Sequence, residues 1–182
     1  SAASGQTVTA NFATADGTAT LADTDYQSAS GALTYAPGET TKQVTVLVEG
    51  DTLDEAAETF TVGLSTPVNA TVAGAPGTGT ITDDDPAPGL SIDDVALTEG
   101  NTGTKLFTFT VTLSAASGRQ ITVNYASADA TATVADNDYV ATSGLLTFAP
   151  GETSKPVAVT VVGDTVDEGN NQLFTFTVTL SA

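Results

Sequence analysis

Ser1-Ala2-Ala3-Ser4-Gly5 returns as Ser114-Ala115-Ala116-Ser117-Gly118, and the match continues at a constant offset of 113 residues. Asn11-Phe12-Ala13 corresponds to Asn124-Tyr125-Ala126, Asp25-Tyr26 to Asp138-Tyr139, and Ala36-Pro37-Gly38-Glu39-Thr40 to Ala149-Pro150-Gly151-Glu152-Thr153. Gly50-Asp51-Thr52-Leu53-Asp54-Glu55 then corresponds to Gly163-Asp164-Thr165-Val166-Asp167-Glu168, after which three extra residues precede Phe176-Thr177-Val178, the counterpart of Phe60-Thr61-Val62. Such a long period is one domain, repeated. Pro86-Ala87-Pro88-Gly89 reads as a short, stiff linker. The expected organisation is a domain over 1–85, a linker at 86–89 and a second domain over 90–182. On this alignment the first domain lacks its two opening strands, the equivalents of 90–113, and the second lacks its closing strand, the equivalent of Gly77 to Thr82. The missing strands are expected from a longer polypeptide or a neighbouring chain, since sheet edges left alone are exposed.

Apolar residues alternate with Thr or other polar residues in steps of two, the mark of half-buried strands. In the first copy the rows are Val8/Ala10/Phe12, Leu33/Tyr35, Val44/Val46/Val48 and Phe60/Val62/Leu64. The second copy adds Leu90/Ile92 and Val95/Leu97 about a bend, then Phe107/Phe109/Val111/Leu113, Ile121/Val123/Tyr125, Leu146/Phe148, Val157/Val159/Val161 and Phe174/Phe176/Val178/Leu180. No segment carries a helical stripe. About seven strands per complete copy, labelled A to G, is the number of an immunoglobulin-like sandwich. The fold expected is therefore all-β: two tandem immunoglobulin-like, Greek-key antiparallel β-sandwiches, both incomplete in this chain.

Without His, Cys, Met or Trp, the sequence has no imidazole base, no thiolate nucleophile, no disulfide and none of the usual zinc or copper ligands. Four basic residues against 22 acidic ones give a formal charge of -18, which repels nucleic acid and anionic membranes and favours cations as partners. No apolar run approaches the roughly 18 residues of a membrane span, and no signal segment opens the chain. An enzyme is not expected. Paired carboxylates serve glycosidases, but here the acids lie on loop tips without an aromatic platform or cleft.

Antiparallel strands reverse at every turn, so parity assigns each connection to one end of the sandwich. The B–C turn, the D–E turn and the F–G loop share an end at which Glu39 is the one acid. The other end gathers Glu99 from A–B, Asp16, Asp23 and Asp25 from C–D, and Asp51, Asp54, Glu55 and Glu58 from E–F. Asp83, Asp84 and Asp85, at the exit after G, belong to that end too. Asp is an ordinary turn former, and for any single loop acid that is sufficient reason for its presence. A whole set of like charges at one end is costly unless neutralised. Ca²⁺, which accepts six to eight oxygens in a tolerant geometry, suits such loops better than Mg²⁺.

With these motifs assembled, the chain resembles Calx-beta domains, the repeat of sodium/calcium exchangers, integrin β4 and large bacterial surface proteins. The resemblance rests on Thr98-Glu99-Gly100, Phe109-Thr110-Val111-Thr112-Leu113-Ser114, Asp138-Tyr139, Phe148-Ala149-Pro150-Gly151-Glu152, Asp164-Thr165-Val166-Asp167-Glu168 and Thr80-Ile81-Thr82-Asp83-Asp84-Asp85. It implies a calcium-binding sandwich. By position, the ligands it implies in the first copy are Asp25, Asp51, the Leu53 carbonyl, Glu55, Glu58 and Asp83, Asp84 and Asp85. In the second copy they are Glu99, Asp138, Asp164, the Val166 carbonyl and Glu168, with Asn171 in place of the last E–F acid.

The function expected is a calcium-binding structural repeat of an extracellular, bacterial-type adhesin, matrix protein or filament, with calcium stiffening loops and interdomain joints. A calcium sensor and a calcium-independent fibre subunit are the alternatives. The partners expected are neighbouring repeats of the same polypeptide or other copies joined by strand complementation. The last idea comes from Leu173 to Ala182, which repeats Leu106 to Ala115 residue for residue: F by position, B by sequence.

Overall fold

The computed structural model describes residues 3–166 and the backbone of a strand at 175–180. Every regular element among the described residues is a strand. Contacts gather the chain into two compact units, one of residues 1–52 and 56–84 and the other of residues 53–55 and 85–182.

The first unit holds β1 (Val8–Asp16), β2 (Ser30–Tyr35), β3 (Glu58–Val68) and β4 (Gly77–Ile81) in one antiparallel sheet of order β2-β1-β3-β4. These are strands C, D, F and G of the alternating pattern. Phe12 faces Gly31 across the β1–β2 ladder and Leu64 across β1–β3, while Phe60 faces Gly79 across β3–β4. Both glycines are covered by rings. A Cβ on Gly79 would run into the Phe60 ring, and one on Gly31 would lie 3.0 Å from that of Phe12. The core centres on Ala19, Tyr26 and Phe60, with Val46, Val62 and Ile81 packed against it.

In the second unit, β5 (Leu90–Ile92), β6 (Thr104–Leu113) and β9 (Ser154–Val162) form a sheet of order β5-β6-β9. β7 (Ile121–Ala128), β8 (Ser143–Phe148) and β10 (Thr175–Leu180) form another, of order β10-β7-β8. The chain leaves β8 in one sheet and enters β9 in the other, the crossing that a Greek key requires. Val111, Leu113 and Val157 of the first sheet meet Val123 and Phe148 of the second in one core cluster. A neighbouring cluster joins Phe107, Phe109, Val159 and Val161 to Ala132 and Tyr139. Along β6 the burial alternates without a break, Phe107, Phe109, Val111 and Leu113 inward and Thr108, Thr110 and Thr112 outward.

Turn contacts define the ends of each sandwich. Gly38 N donates to Ser4 O in the first unit and Gly151 N to Ser117 O in the second, both at 2.9 Å, so the B–C and D–E turns meet. Gly163 N donates to Gly103 O at 2.9 Å, which joins the A–B and E–F loops of the second unit at its other end.

Three strand expectations are corrected. The row Val44/Val46/Val48 is not a ladder strand. Its counterpart β9 is held by nine pairs with β6, whereas among the described residues this segment has only the Tyr26↔Val48 bridge and two flanking backbone bonds. Val95/Leu97 is not a strand either. Thr110 N donates to Asp93 Oδ1 at 2.6 Å, so a side chain takes the place of the next ladder carbonyl and β5 ends at Ile92. In β10, Phe176 pairs with Ser127, the counterpart of Thr14, which in β1 faces Val62. Phe176 therefore stands where Val62 does, two places along from Phe60, and the insertion before it is one residue rather than three. A shift of two keeps the same face inward, so the alternating pattern could not distinguish the two registers. Phe174, expected in this strand, lies outside the described residues.

Candidate metal centre

The C–D loop is built the same way in both units. Asp16 at the end of β1 accepts the Tyr26 hydroxyl at 2.6 Å and Leu21 N at 3.3 Å. Asp129 accepts the Tyr139 hydroxyl at 2.6 Å and Val134 N at 3.1 Å. Thr20 and Asp23 exchange bonds of 2.8 and 3.0 Å, as do Thr133 and Asp136. Asp16 and Asp23 of the acidic end thus serve as turn formers. The hydrogen bond to Asp16, then burial, pushes the Tyr26 hydroxyl pKa upward; for Tyr139 burial comes first and the bond to Asp129 second. Each effect disfavours the phenolate.

This frame fixes Asp25. Its Oδ2 accepts Thr20 N at 2.6 Å, its own N–H donates to Thr20 O at 3.2 Å, and its carbonyl accepts Glu49 N at 3.0 Å. Asp138 repeats the set: Oδ2 to Thr133 N at 2.7 Å, N–H to Thr133 O at 3.1 Å and carbonyl to Val162 N at 2.9 Å. The residue before each aspartate is left-handed, with φ 66° at Thr24 and 67° at Asn137. Asn adopts this conformation readily and a β-branched Thr does not, so the first loop is strained at the residue that aims Asp25.

Glu58 opens β3 opposite Ile81, in the same face register as buried Phe60. Asp25, Glu55 and Glu58, all half-buried, each offer a carboxylate oxygen, and these oxygens lie within 4.8 Å of one another. Two oxygens on one Ca²⁺ at 2.3–2.6 Å lie at most about 5.2 Å apart. The three carboxylates are therefore close enough to share a single calcium ion, with small side-chain adjustments bringing their oxygens to coordination distance. Three like charges at this spacing repel, and repulsion grows with distance from bulk water. The chain has little positive charge to offset it. Of its basic side chains, Lys42 pairs with Glu39 at 2.6 Å, Lys155 pairs with Glu152 at 2.7 Å, and Lys105 donates to Thr98.

The other residues indicated by the sequence fall outside this triangle. Asp51 is exposed and Leu53 half-buried. Asp83 and Asp85 are half-buried and Asp84 exposed, just past the Ile81 end of β4. In the second unit, Asp138 is 4% exposed, Glu99 is half-buried, and Asp164 is half-buried with Oδ1 accepting Val166 N at 2.7 Å. Val166 is 63% exposed. Glu168 lies outside the described residues. Among the described residues, Asp25, Glu55 and Glu58 are the one set of three acids that converges in this way. The sequence reading missed Thr20 and Thr133. Their backbone N–H groups orient the candidate ligands, and the signal available was the repeated spacing Thr-x-x-Asp-x-Asp-Tyr.

Comparison with known proteins follows the repeat. The Calx-beta domain model matches residues 1–87 and again 83–182. Sodium/calcium exchanger 1 of Rattus norvegicus is 30% identical to 92% of this chain, and that of Canis lupus familiaris 29% identical over the same share. The chain spans 19% of the length of these relatives. Among solved structures, the calcium binding domain CBD12 of CALX1.1 covers 97% of this chain and 69% of its own at 25% identity and TM-score 0.42. CBD12 from CALX1.2 covers 86% and 64% at 27% identity and TM-score 0.42.

Proposed function

The chain belongs to the Calx-beta domain family, and from that premise we propose that it is a calcium-binding structural repeat of an extracellular adhesin, matrix protein or filament. The observation that carries the calcium reading is the triangle of Asp25, Glu55 and Glu58. Calcium there would neutralise the carboxylates and tie the C–D loop to the start of β3. Asp25 supplies an oxygen already oriented by Thr20 N, so little side-chain freedom is lost on binding. The role is one of binding and stiffening, without catalysis. The extracellular setting is supported by the scarcity of lysine and the abundance of threonine in the sequence. Among the described residues no helix is long and apolar enough to cross a membrane.

A second reading, a reversible calcium sensor, is favoured by the likeness to sodium/calcium exchanger 1. Calorimetric titration of calcium separates the two. A structural site is filled at extracellular, millimolar calcium and holds its ion steadily, whereas a sensor binds near 10⁻⁷–10⁻⁵ M and releases it. Heat of binding indistinguishable from a buffer blank, with a melting temperature indifferent to chelator, overturns both.

A further inference from the structure

Between Glu58 and Asp83 the sequence carries no charged residue. Within this stretch the F–G loop, 69–76, leaves β3 and returns to β4 without entering a ladder among the described residues. It opens on Asn69-Ala70-Thr71, and Asn69 alone among the asparagines is followed two places on by Ser or Thr. That spacing, with a residue other than Pro between, is the acceptor motif for N-linked sugar and is common by chance. Here the structure adds to it. Asn69, Ala70 and Thr71 are all exposed. Asn69 is left-handed, with φ 57°, a conformation that Asn adopts readily, and it turns the chain out of β3. Its Nδ2 donates to Thr7 O at 2.9 Å, which takes one of the two amide hydrogens. Val68 and Val72 flank the motif at 53% and 44% exposed. Val68 faces Thr9, the neighbour of buried Ala10, so it stands on the side of the sheet turned away from the core.

We propose that Asn69 is a modification site, the acceptor of an N-linked glycan transferred from a lipid-linked oligosaccharyl diphosphate. Nδ2 bonds to the anomeric carbon of the first sugar, the bond from that carbon to the diphosphate oxygen breaks, and one amide proton is released. The amide keeps its other hydrogen, so the bond to Thr7 O survives and holds the linkage in place. The glycan supplies bulk and solubility to a loop without charge of its own, and it shields Val68 and Val72 from water. It leaves the metal centre alone. Glu58 and Val68 are the two ends of β3, and ten steps of strand separate them by roughly 33 Å. The inference rests on the extracellular reading, because this motif is used on secreted chains.

In the test, the whole chain is given a cleavable secretion leader and secreted from a eukaryotic host, and its mass is measured before and after peptide N-glycosidase. The leader supplies the compartment, so a failure falls on Asn69 and not on the extracellular reading, which the calcium titration tests. The expected result is a mass higher by one glycan in most molecules, released by the enzyme from the folded chain. Asn69→Gln and Thr71→Ala are expected to be secreted without the added mass, while Thr71→Ser, which keeps the motif, retains it. The proposal is overturned by secreted parent protein of bare polypeptide mass, by a glycan that persists in Asn69→Gln, or by one that the enzyme removes only after denaturation.

Discussion

Tyr26 and Phe60 stack with ring centroids 4.7 Å apart and planes 15° from parallel. Tyr26 follows Asp25 directly, and Phe60 lies on the same face of β3 as Glu58. The stack therefore locks together the two elements that bring carboxylates to the candidate metal centre. Replacing Phe60 by Leu keeps the site buried in apolar surroundings but removes the flat partner. We expect calcium affinity to fall about tenfold, the lower end for supports behind metal ligands, with the β-sheet circular dichroism unchanged. Unaltered affinity in a destabilised variant would show that the stack serves the core alone.

Asp25→Asn, Glu55→Gln and Glu58→Gln each remove one charge from the triangle while keeping an oxygen in place. Each is expected to weaken calcium by an order of magnitude or more. An ion at 100 times its dissociation constant stabilises a folded protein by about 2.7 kcal/mol, so each variant should lose most of the calcium-dependent rise in melting temperature. In the metal-free state the same variants should melt higher than the parent, because repulsion is relieved. Asp94→Asn, on an exposed position of the second unit, is the matched control and should bind as the parent does. Equal behaviour of all four would place the ion elsewhere.

Tyr26 and Tyr139 are the tyrosines whose hydroxyls donate to Asp16 and Asp129. Their pKa values are raised above 10.0, so folding favours the protonated phenol. That contribution is full below the unfolded tyrosine pKa and disappears as pH climbs through the folded values. Ultraviolet titration of phenolate should show an upper phase that vanishes in Tyr26→Phe combined with Tyr139→Phe. In the double variant, stability should decline less steeply above about pH 10.

Gly79→Ala drives a methyl into the tip of the Phe60 ring, whose face is stacked on Tyr26. The ring has to shift, and overpacking of this kind costs about 1–3 kcal/mol. A lower chemical-denaturation midpoint with unchanged slope is the expected outcome. Gly5→Ala is the comparison, since nothing lies within 4 Å of a Cβ there.

The alternating apolar rows made the sandwich strands legible, and parity placed the C–D and E–F acids at a common end. What the rows could not reveal was whether a partner strand is present for each. Val44/Val46/Val48 has the same pattern as Val157/Val159/Val161 but lacks the β6 ladder, because pattern records a residue's preference for a buried face and not the neighbour that completes it. The β10 register escaped for a related reason, a two-residue shift being silent in a period-two sequence. At the metal centre, parity gathered the acids at one end and the Calx-beta resemblance put Asp25, Glu55 and Glu58 among the implied ligands, but neither says which acids converge. Asp16 and Asp23 carry the same charge in the same loop, yet their oxygens accept local hydroxyl and amide protons. That division depends on torsions such as the left-handed Thr24, which composition does not encode.

The Glu58↔Ile81 pair is the last rung between β3 and β4 on the side where the chain continues to Asp83. Tension pulling on the polypeptide beyond β4 reaches that rung before any other in the ladder, and Glu58 is one corner of the carboxylate triangle. An ion clasped there would act as a rivet at the point where the first unit begins to peel. The force needed to open it would then follow the calcium content of the surroundings.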